Sequence, residues 1–567
     1  MFRSLLLATA VTLTIAGCAG SETGEPADLV YTNGRIYTVN EAQPWAEAVA
    51  IKDGMLLVVG SDADVETVTG ADTEVIDLKG RFVMPGIVDL HVHPFTNTLY
   101  GDLYVSFSDP TDPDLVLEEL RAFADANPDV PVIRGGAWGI GVFPGNNPSK
   151  ALLDEVVPDR PVALLDQTGH SVWLNSRAIE VAGITAATPS SPTAVVEKDA
   201  NGEPSGVVRE GTIRLVEQAL PQPQLGVFSQ AIRDVFRTFN SGGVTSMQTG
   251  EGHEHALNAT KLLEDANDLT MRLFVAWDWH LAQITPYTNE EMDAQIANRG
   301  AYASDMIDPN FVKIFTDGAP DGYAVPFIAP YADGSGEYGQ GKISPEDLRE
   351  AVIAFDAAGV GVFMHAIGDA SVRAALDAVE AAHEANGVSG VRHKVAHVNW
   401  VHPDDFCRFA SIPDVSAEIS PAATYPLASL DGYRPLLGDE RVDAIWQARS
   451  FLDAGANLGY GSDWLTLIPP SPWMPMQGFV TRINPNMPER GVLGDDQELT
   501  VEEAIRVFTI NGAWTLGAED RIGSLEVGKA ADFIVLNHDL FEIPPTDIHK
   551  TEVQKTILQG SVVYERQ

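Results

Sequence analysis

The sequence predicts an α/β protein: a (β/α)8 TIM barrel, a small β-sandwich domain built from both chain ends, and a large insertion after barrel strand 1. Three observations predict it. Eight short apolar segments alternate with helical stretches through the middle of the chain, as parallel α/β folds require. Hairpin-like segments crowd both ends. Residues 93–242 separate the first two apolar segments, far more than a helical crossover needs.

The elements follow in order. Arg3 and the apolar run Leu5 to Ile15 precede Ala16-Gly17-Cys18, so residues 1–17 read as a signal peptide too short to span a bilayer. Small residues before Cys18 match a bacterial lipobox, making Cys18 the lipidation candidate and 18–26 a tether. The alternative is an ordinary secretory signal that happens to contain a cysteine. The expected location is the outer membrane, facing the periplasm, with the lipid anchor as the membrane contact. Residues 27–83 and 525–567 carry short strands, with turns such as Asn33-Gly34 and Asp53-Gly54, and form the composite β-sandwich. Residues 84–524 form the barrel. Its strands are expected at 87–92, 243–248, 272–278, 311–316, 360–365, 394–398, 414–419 and 456–461, with the insertion at 100–225 read as a lid or recognition subdomain.

The chain has 567 residues, with 80 acids against 36 bases and a net charge of −44. Such a chain repels phosphate backbones, so nucleic acid is not an expected partner. Cys18 and Cys407 are the two cysteines. With Cys18 acylated no internal disulfide forms, and a cysteine-ligated zinc site is excluded.

Pro85-Gly86-Ile87-Val88-Asp89-Leu90-His91-Val92-His93-Pro94 carries the strongest chemical signal. Residues two apart on a strand share a face, so His91 and His93 project together, and imidazole is the commonest metal ligand. Further candidates end later strands, where barrel active sites lie: Lys313 in Phe311-Val312-Lys313-Ile314-Phe315, then His365, His397 and Asp463. Taken singly, Lys313 reads equally as a buried ion-pair partner, Asp463 as a helix cap, and either histidine as a core group. Their coincidence at four strand ends favours a metal site. His253-Glu254-His255 is a second His-x-His, read as a loop or substrate contact rather than a ligand pair. His170, in Gly169-His170-Ser171-Val172-Trp173, and Trp138 are candidates from the insertion, for substrate contact and pocket lining respectively; each is balanced by a structural role.

These stretches resemble the metal-dependent amidohydrolase superfamily, in the amidohydrolase family 3 branch that includes N-substituted formamide deformylases. The matching segments are Met84 to His93, Val312-Lys313-Ile314-Phe315-Thr316-Asp317-Gly318, His365-Ala366-Ile367-Gly368-Asp369, Gly461-Ser462-Asp463, and Gly523 to Phe533. The resemblance implies two divalent metal ions, with zinc expected. His91, His93 and Asp463 would hold the more buried ion, His365 and His397 the second, and a CO2-derived carbamate on Lys313 would bridge them. A free lysine ammonium has only donors and cannot ligate a cation. It further implies a metal-bridging hydroxide attacking the carbonyl of a small-molecule amide or N-substituted formamide, a non-peptide carbon–nitrogen bond, with Asp463 as the catalytic proton shuttle and His170 as a transition-state contact. The departures are Ala319 to Val325 after the strand-4 Asp-Gly, and Ser420-Pro421 where relatives often carry Gln-Pro; both bear on substrate. The alternatives are a mononuclear deaminase-like or cyclic-amide hydrolase, and a non-catalytic anchored binding lipoprotein. The assembly state is open, with a homodimer among the options.

Overall fold

The computed structural model describes residues 26–97, 104–139, 141–166, 169, 171–191, 194–279, 287–464 and 471–567. Cys18, the signal segment and His170 lie outside the described residues.

Eight parallel strands form a nearly closed barrel: Ile87–Val92, Val244–Thr249, Arg272–Asp278, Ile307–Phe315, Gly361–Ala366, His393–His397, Val415–Ile419 and Leu458–Tyr460. They are called barrel strands 1 to 8. Each pairs in parallel with the next. Strands 8 and 1 meet through a single parallel bridge, Val92 to Trp464. Val312 and Ile314 pack outward against the surrounding helices, while Phe311, Phe274, Phe363 and Leu90 plug the inside with Ala513 and Leu516. The plug closes one end of the barrel and leaves the other as a mouth, lined by strand ends and following loops.

The chain ends share sheets. Phe82–Pro85 runs antiparallel to Phe533–Leu536 in a six-stranded sheet, and Met55–Gly60, Ala48–Lys52, Leu29–Thr32 and Glu74–Asp77 form a four-stranded one. Tyr31, Ile36, Val49, Val83, Phe533 and Ile557 fill the space between them. The segment between barrel strands 1 and 2 folds around its own six-stranded sheet, running from Val105–Ser106 to Pro204–Glu210. Trp138 is fully buried in that subdomain's core, its indole N–H donating to the Leu164 carbonyl at 3.0 Å. Packing, rather than pocket lining, accounts for it.

Candidate metal centre

Strand 1 presents His91 and His93 to the barrel mouth, and Asp463 meets them from the turn after strand 8. Ligand atoms of these three residues all lie within 4.8 Å of one another. Asp463 Oδ1 is 3.5 Å from His91 Nε2 and 3.4 Å from His93 Nε2. The backbone fixes this meeting: Asp463 N donates to the His91 carbonyl at 2.7 Å, and His93 N to the Trp464 carbonyl at 3.1 Å. Asp463 (φ 51°) and His397 (φ 72°) both adopt the left-handed region that non-glycine residues rarely take. Such strain persists where surrounding contacts over-determine it, and His397 ends strand 6 while Asp463 lies in the turn after strand 8, both at the mouth. Gly461 is required by close approach, since a Cβ there would come within 2.3 Å of Glu418 Oε1 and 2.6 Å of His91 Cβ.

His365 and His397 complete the cluster. Their rings lie 4.2 Å apart, and the His91 and His397 rings 4.9 Å apart. The four imidazoles share one arrangement. His93 Nδ1 faces Glu251 Oε2 at 3.3 Å, His365 Nδ1 faces Asp317 Oδ1 at 2.8 Å, and His397 Nδ1 faces the Ser420 carbonyl at 3.0 Å. His91 Nδ1 lies 2.9 Å from Ser420 Oγ and 3.4 Å from Glu418 Oε2. Each Nδ1–H therefore has an outer acceptor, which leaves the Nε2 lone pair for a ligand. His397 Nε2 is buried with no hydrogen-bond partner, an orphaned acceptor that a cation would satisfy.

Lys313 sits among them at 1% exposure, its Nζ 3.1 Å from His91 Nε2 and 3.6 Å from the Phe363 ring centre. No carboxylate lies within ion-pair range of that Nζ among the described residues. Lys394, two strands away, is buried over the same ring but has a partner, Glu418 Oε2 at 3.2 Å. Burial pulls Lys313 down to about 7, only partly opposed by Asp463, and Lys394 to about 8, partly opposed by Glu418. Burial together with neighbouring cationic side chains holds His91, His365 and His397 below the ordinary imidazole range, His397 at about 3. They are neutral, as ligands must be. Burial lowers His93 as well, but the Asp463 and Glu251 carboxylates outweigh it and bring His93 to about 9. A bound cation would displace that proton. Burial raises Asp463, yet His91, His93 and His397 hold it well below the carboxylate range. The donor set of four imidazoles, one ionised carboxylate and a lysine that gives up its proton readily fits divalent metal ions once the His93 proton is displaced.

The family model of the amidohydrolase family matches residues 74–564. The chain belongs to the amidohydrolase family. This amidohydrolase is 26% identical over 555 residues to Protein LONG AFTER FAR-RED 3 of Arabidopsis thaliana, covering 95% of this chain and 92% of the relative. It is 24% identical over 553 residues to the N-substituted formamide deformylase of Arthrobacter pascens, covering 95% and 98%. Among solved structures it resembles an uncharacterised metal-dependent hydrolase from Pyrococcus furiosus, with TM-score 0.72 and 23% identity over 90% of this chain and 99% of that one. By family it is an amidohydrolase, and its fold is that of a solved metal-dependent hydrolase.

The second His-x-His of this amidohydrolase stands apart from the cluster. His253 caps helix Glu254–Asp265 by accepting from Ala256 N, and its ring faces Phe95 and Tyr287. His255 stacks on Phe228 at 5.4 Å and bonds the Pro223 carbonyl. The outer shell was not read from the sequence. Glu251, Asp278, Lys394 and Glu418 are buried charges on or just after barrel strands, and Ser420 touches both His91 and His397. A lone charge within an apolar strand, as in Val415-Ser416-Ala417-Glu418-Ile419, was the available signal.

Proposed function

We propose that the protein hydrolyses a non-peptide carbon–nitrogen bond, an amide or N-substituted formamide, using two divalent ions, zinc in the first instance. His91, His93 and Asp463 would hold one ion and His365 and His397 the other, with Lys313 carboxylated by CO2 between them. One observation carries the reading: four imidazoles each set Nδ1 against an outer oxygen, while His91 Nε2 and His93 Nε2 lie 3.5 and 3.4 Å from Asp463 Oδ1 and Lys313 Nζ lies 3.1 Å from His91 Nε2. Lys313 supports its part through the contrast with Lys394. Both amines are buried, but Lys394 is paired with Glu418, while Lys313 has no ion-pair partner among the described residues and is pulled down to about 7, so that a neutral fraction, the form that adds to CO2, is present near neutral pH.

When bound, such ions polarise a carbonyl and supply a water-derived nucleophile at neutral pH. The chain's own residues do the rest. Asp463, ionised by the surrounding imidazoles, takes the proton from the attacking water and delivers it to the departing nitrogen. Glu251, Asp317 and Ser420 keep the imidazole rings aimed. His170 is proposed as a further contact to the leaving group. The formamide reading draws support from the deformylase relative. Export and anchoring through Cys18 are proposed from the leader alone.

Metal analysis of the purified full chain, with a formate- and acid-release screen across N-formyl, N-acyl and cyclic amides, tests this. About two ions per chain with turnover of an acyclic amide is expected. One ion per chain, or turnover confined to amidines or cyclic amides, overturns it.

A further inference from the structure

We infer that Lys342 is a specificity-determining residue that pairs with a carboxylate on the substrate, so that the preferred amides are anionic. The inference rests on the hydrolase reading above and adds a substrate class to it. Lys342 lies on the long loop after barrel strand 4. Its backbone N–H donates to the Thr316 carbonyl at 2.9 Å, which pins this part of the loop to the strand end. Its aliphatic stem passes over Gly318, where a Cβ would lie 3.3 Å from Lys342 Cε. The stem is thus held while the ammonium projects beside the site.

Phe315 measures where that ammonium sits. Lys342 Nζ is 5.5 Å from the Phe315 ring centre, Lys313 Nζ is 5.1 Å from the same centre, and the His365 ring is 5.4 Å from it. The two amines are therefore at most about 11 Å apart, the span of roughly three extended residues. A molecule with its scissile carbonyl beside Lys313 and a carboxylate a few bonds away reaches both.

The ammonium has no close polar partner among the described residues, and Glu210 and Asp317 act on it only from a distance. Among the described residues it makes no hydrogen bond and no ion pair, and its one contact, at the outer edge of cation–π range, is worth only about 0.5–1 kcal/mol. The carboxylates that flank it are beyond pairing range. Asp317 is already spent on His365 Nδ1, Ile367 N and Gly368 N, and Glu210, at the end of the insertion's sheet, lies too far for an ion pair. Arg209 and Arg214 of the insertion are spent as well, Arg209 on Glu197, Ser171 and the Asn146 carbonyl, Arg214 on the Tyr287 carbonyl and Asn289. In a chain with 80 acids and 36 bases, a half-buried lysine without a carboxylate stands out. Half-burying an unpaired charge is costly, and an anionic substrate group recovers that cost only while bound.

The test compares 4-formamidobutanoate with its carboxamide, 4-formamidobutanamide, by formate release from the metal-loaded full chain. Wild type is expected to favour the carboxylate in kcat/KM by 10- to 100-fold, mostly through KM. Lys342→Met keeps the stem and should bring the ratio to about one; Lys342→Arg should keep most of the preference, and Lys342→Glu should reverse it. No preference in wild type, or a preference that survives in Lys342→Met, overturns the inference. Calorimetric binding of the same two compounds separates this from the hydrolase reading. Carboxylate-selective binding lost in Lys342→Met, without formate release from either compound, upholds the role of Lys342 and counts against hydrolysis. Equal binding of both compounds to wild type overturns it.

Discussion

Replacing Glu418 by leucine should damage stability and metal affinity by separable amounts. Glu418 and Lys394 are 0% and 3% exposed at the side chain, with Oε2 and Nζ 3.2 Å apart. At an effective dielectric constant of about 20, that pair is worth roughly 5 kcal/mol of Coulomb energy. In Glu418→Leu the Lys394 ammonium is stranded and escapes by losing its proton. At pH 7 that escape caps the cost at about 5 kcal/mol, one pKa unit below the ordinary value being worth 1.36 kcal/mol. Breaking buried pairs typically costs about 3–5 kcal/mol, so the expected loss is about 4 kcal/mol. The sign of its pH dependence is fixed. The folded variant holds fewer protons than the unfolded chain, so its stability rises as pH climbs from 7 toward the ordinary lysine range. Glu418→Leu with Lys394→Met removes both charges and should recover most of the stability. It should not recover metal affinity, because the carboxylate near His91 Nδ1 is still gone. Ser420 Oγ, at 2.9 Å, remains for His91, so the affinity loss should sit near 10-fold, the low end for outer-shell partners. Denaturant unfolding of the full chain and chelator competition read the two effects. A Glu418→Leu loss under 1 kcal/mol, or a double variant no more stable than the single, refutes the stranded-charge argument.

Three further outcomes follow from the same geometry. Lys313→Ala should lose metal and activity together, with partial rescue of both by a high concentration of a short carboxylic acid; full metal content in the variant would contradict the bridging role. Asp463→Asn keeps one coordinating oxygen but cannot accept a proton, so metal content should fall modestly while kcat falls about 10²–10⁴-fold, less for amides with good leaving groups. Asp356 is 2% exposed and accepts from Asn386 Nδ2 (2.8 Å), Ser389 Oγ (2.6 Å) and His393 Nε2 (3.3 Å), and these bonds, His393 first, hold it below the carboxylate range. Asp356→Ala should cost about 3 kcal/mol at neutral pH. The wild-type advantage is full above the unfolded value of about 3.9 and disappears as pH falls through the lower folded value. A pH-independent difference in unfolding free energy would show that another group carries it.

The barrel was legible because its strands are apolar runs bounded by turn residues, and each of the eight expected segments overlaps an observed strand. The ligand candidates were legible because strand ends concentrate chemistry in such barrels. The sheet of the insertion was not. Its strand Ile133–Trp138 reads Ile-Arg-Gly-Gly-Ala-Trp, poor in β-branched residues, and Gly135 and Gly136 are there because neighbouring backbone leaves no room, with the Val105 and Leu165 carbonyl oxygens 2.1 and 2.3 Å from where a Cβ would sit. Lys394 and Glu418 were hidden for another reason. Each is ordinary alone, and only the parallel pairing of strands 6 and 7, which sets them side by side, makes them a pair. Trp138 invited a functional reading that its tight packing does not support.

The seam of the barrel also determines the order in which the site can come into being. Strands 8 and 1 share one ladder bridge, and the ties beside it, such as Ser462 N to Asp89 Oδ1, join residues 373 apart in sequence. Contacts that distant form late, because so much chain must be gathered first. His91, His93 and Asp463 straddle the same seam. An ion shared by those three side chains is a rivet through the junction where the wall of the barrel is thinnest. Loading the ion and closing the barrel are then one event, and a chain stripped of metal should begin to open there, between its first barrel strand and its last.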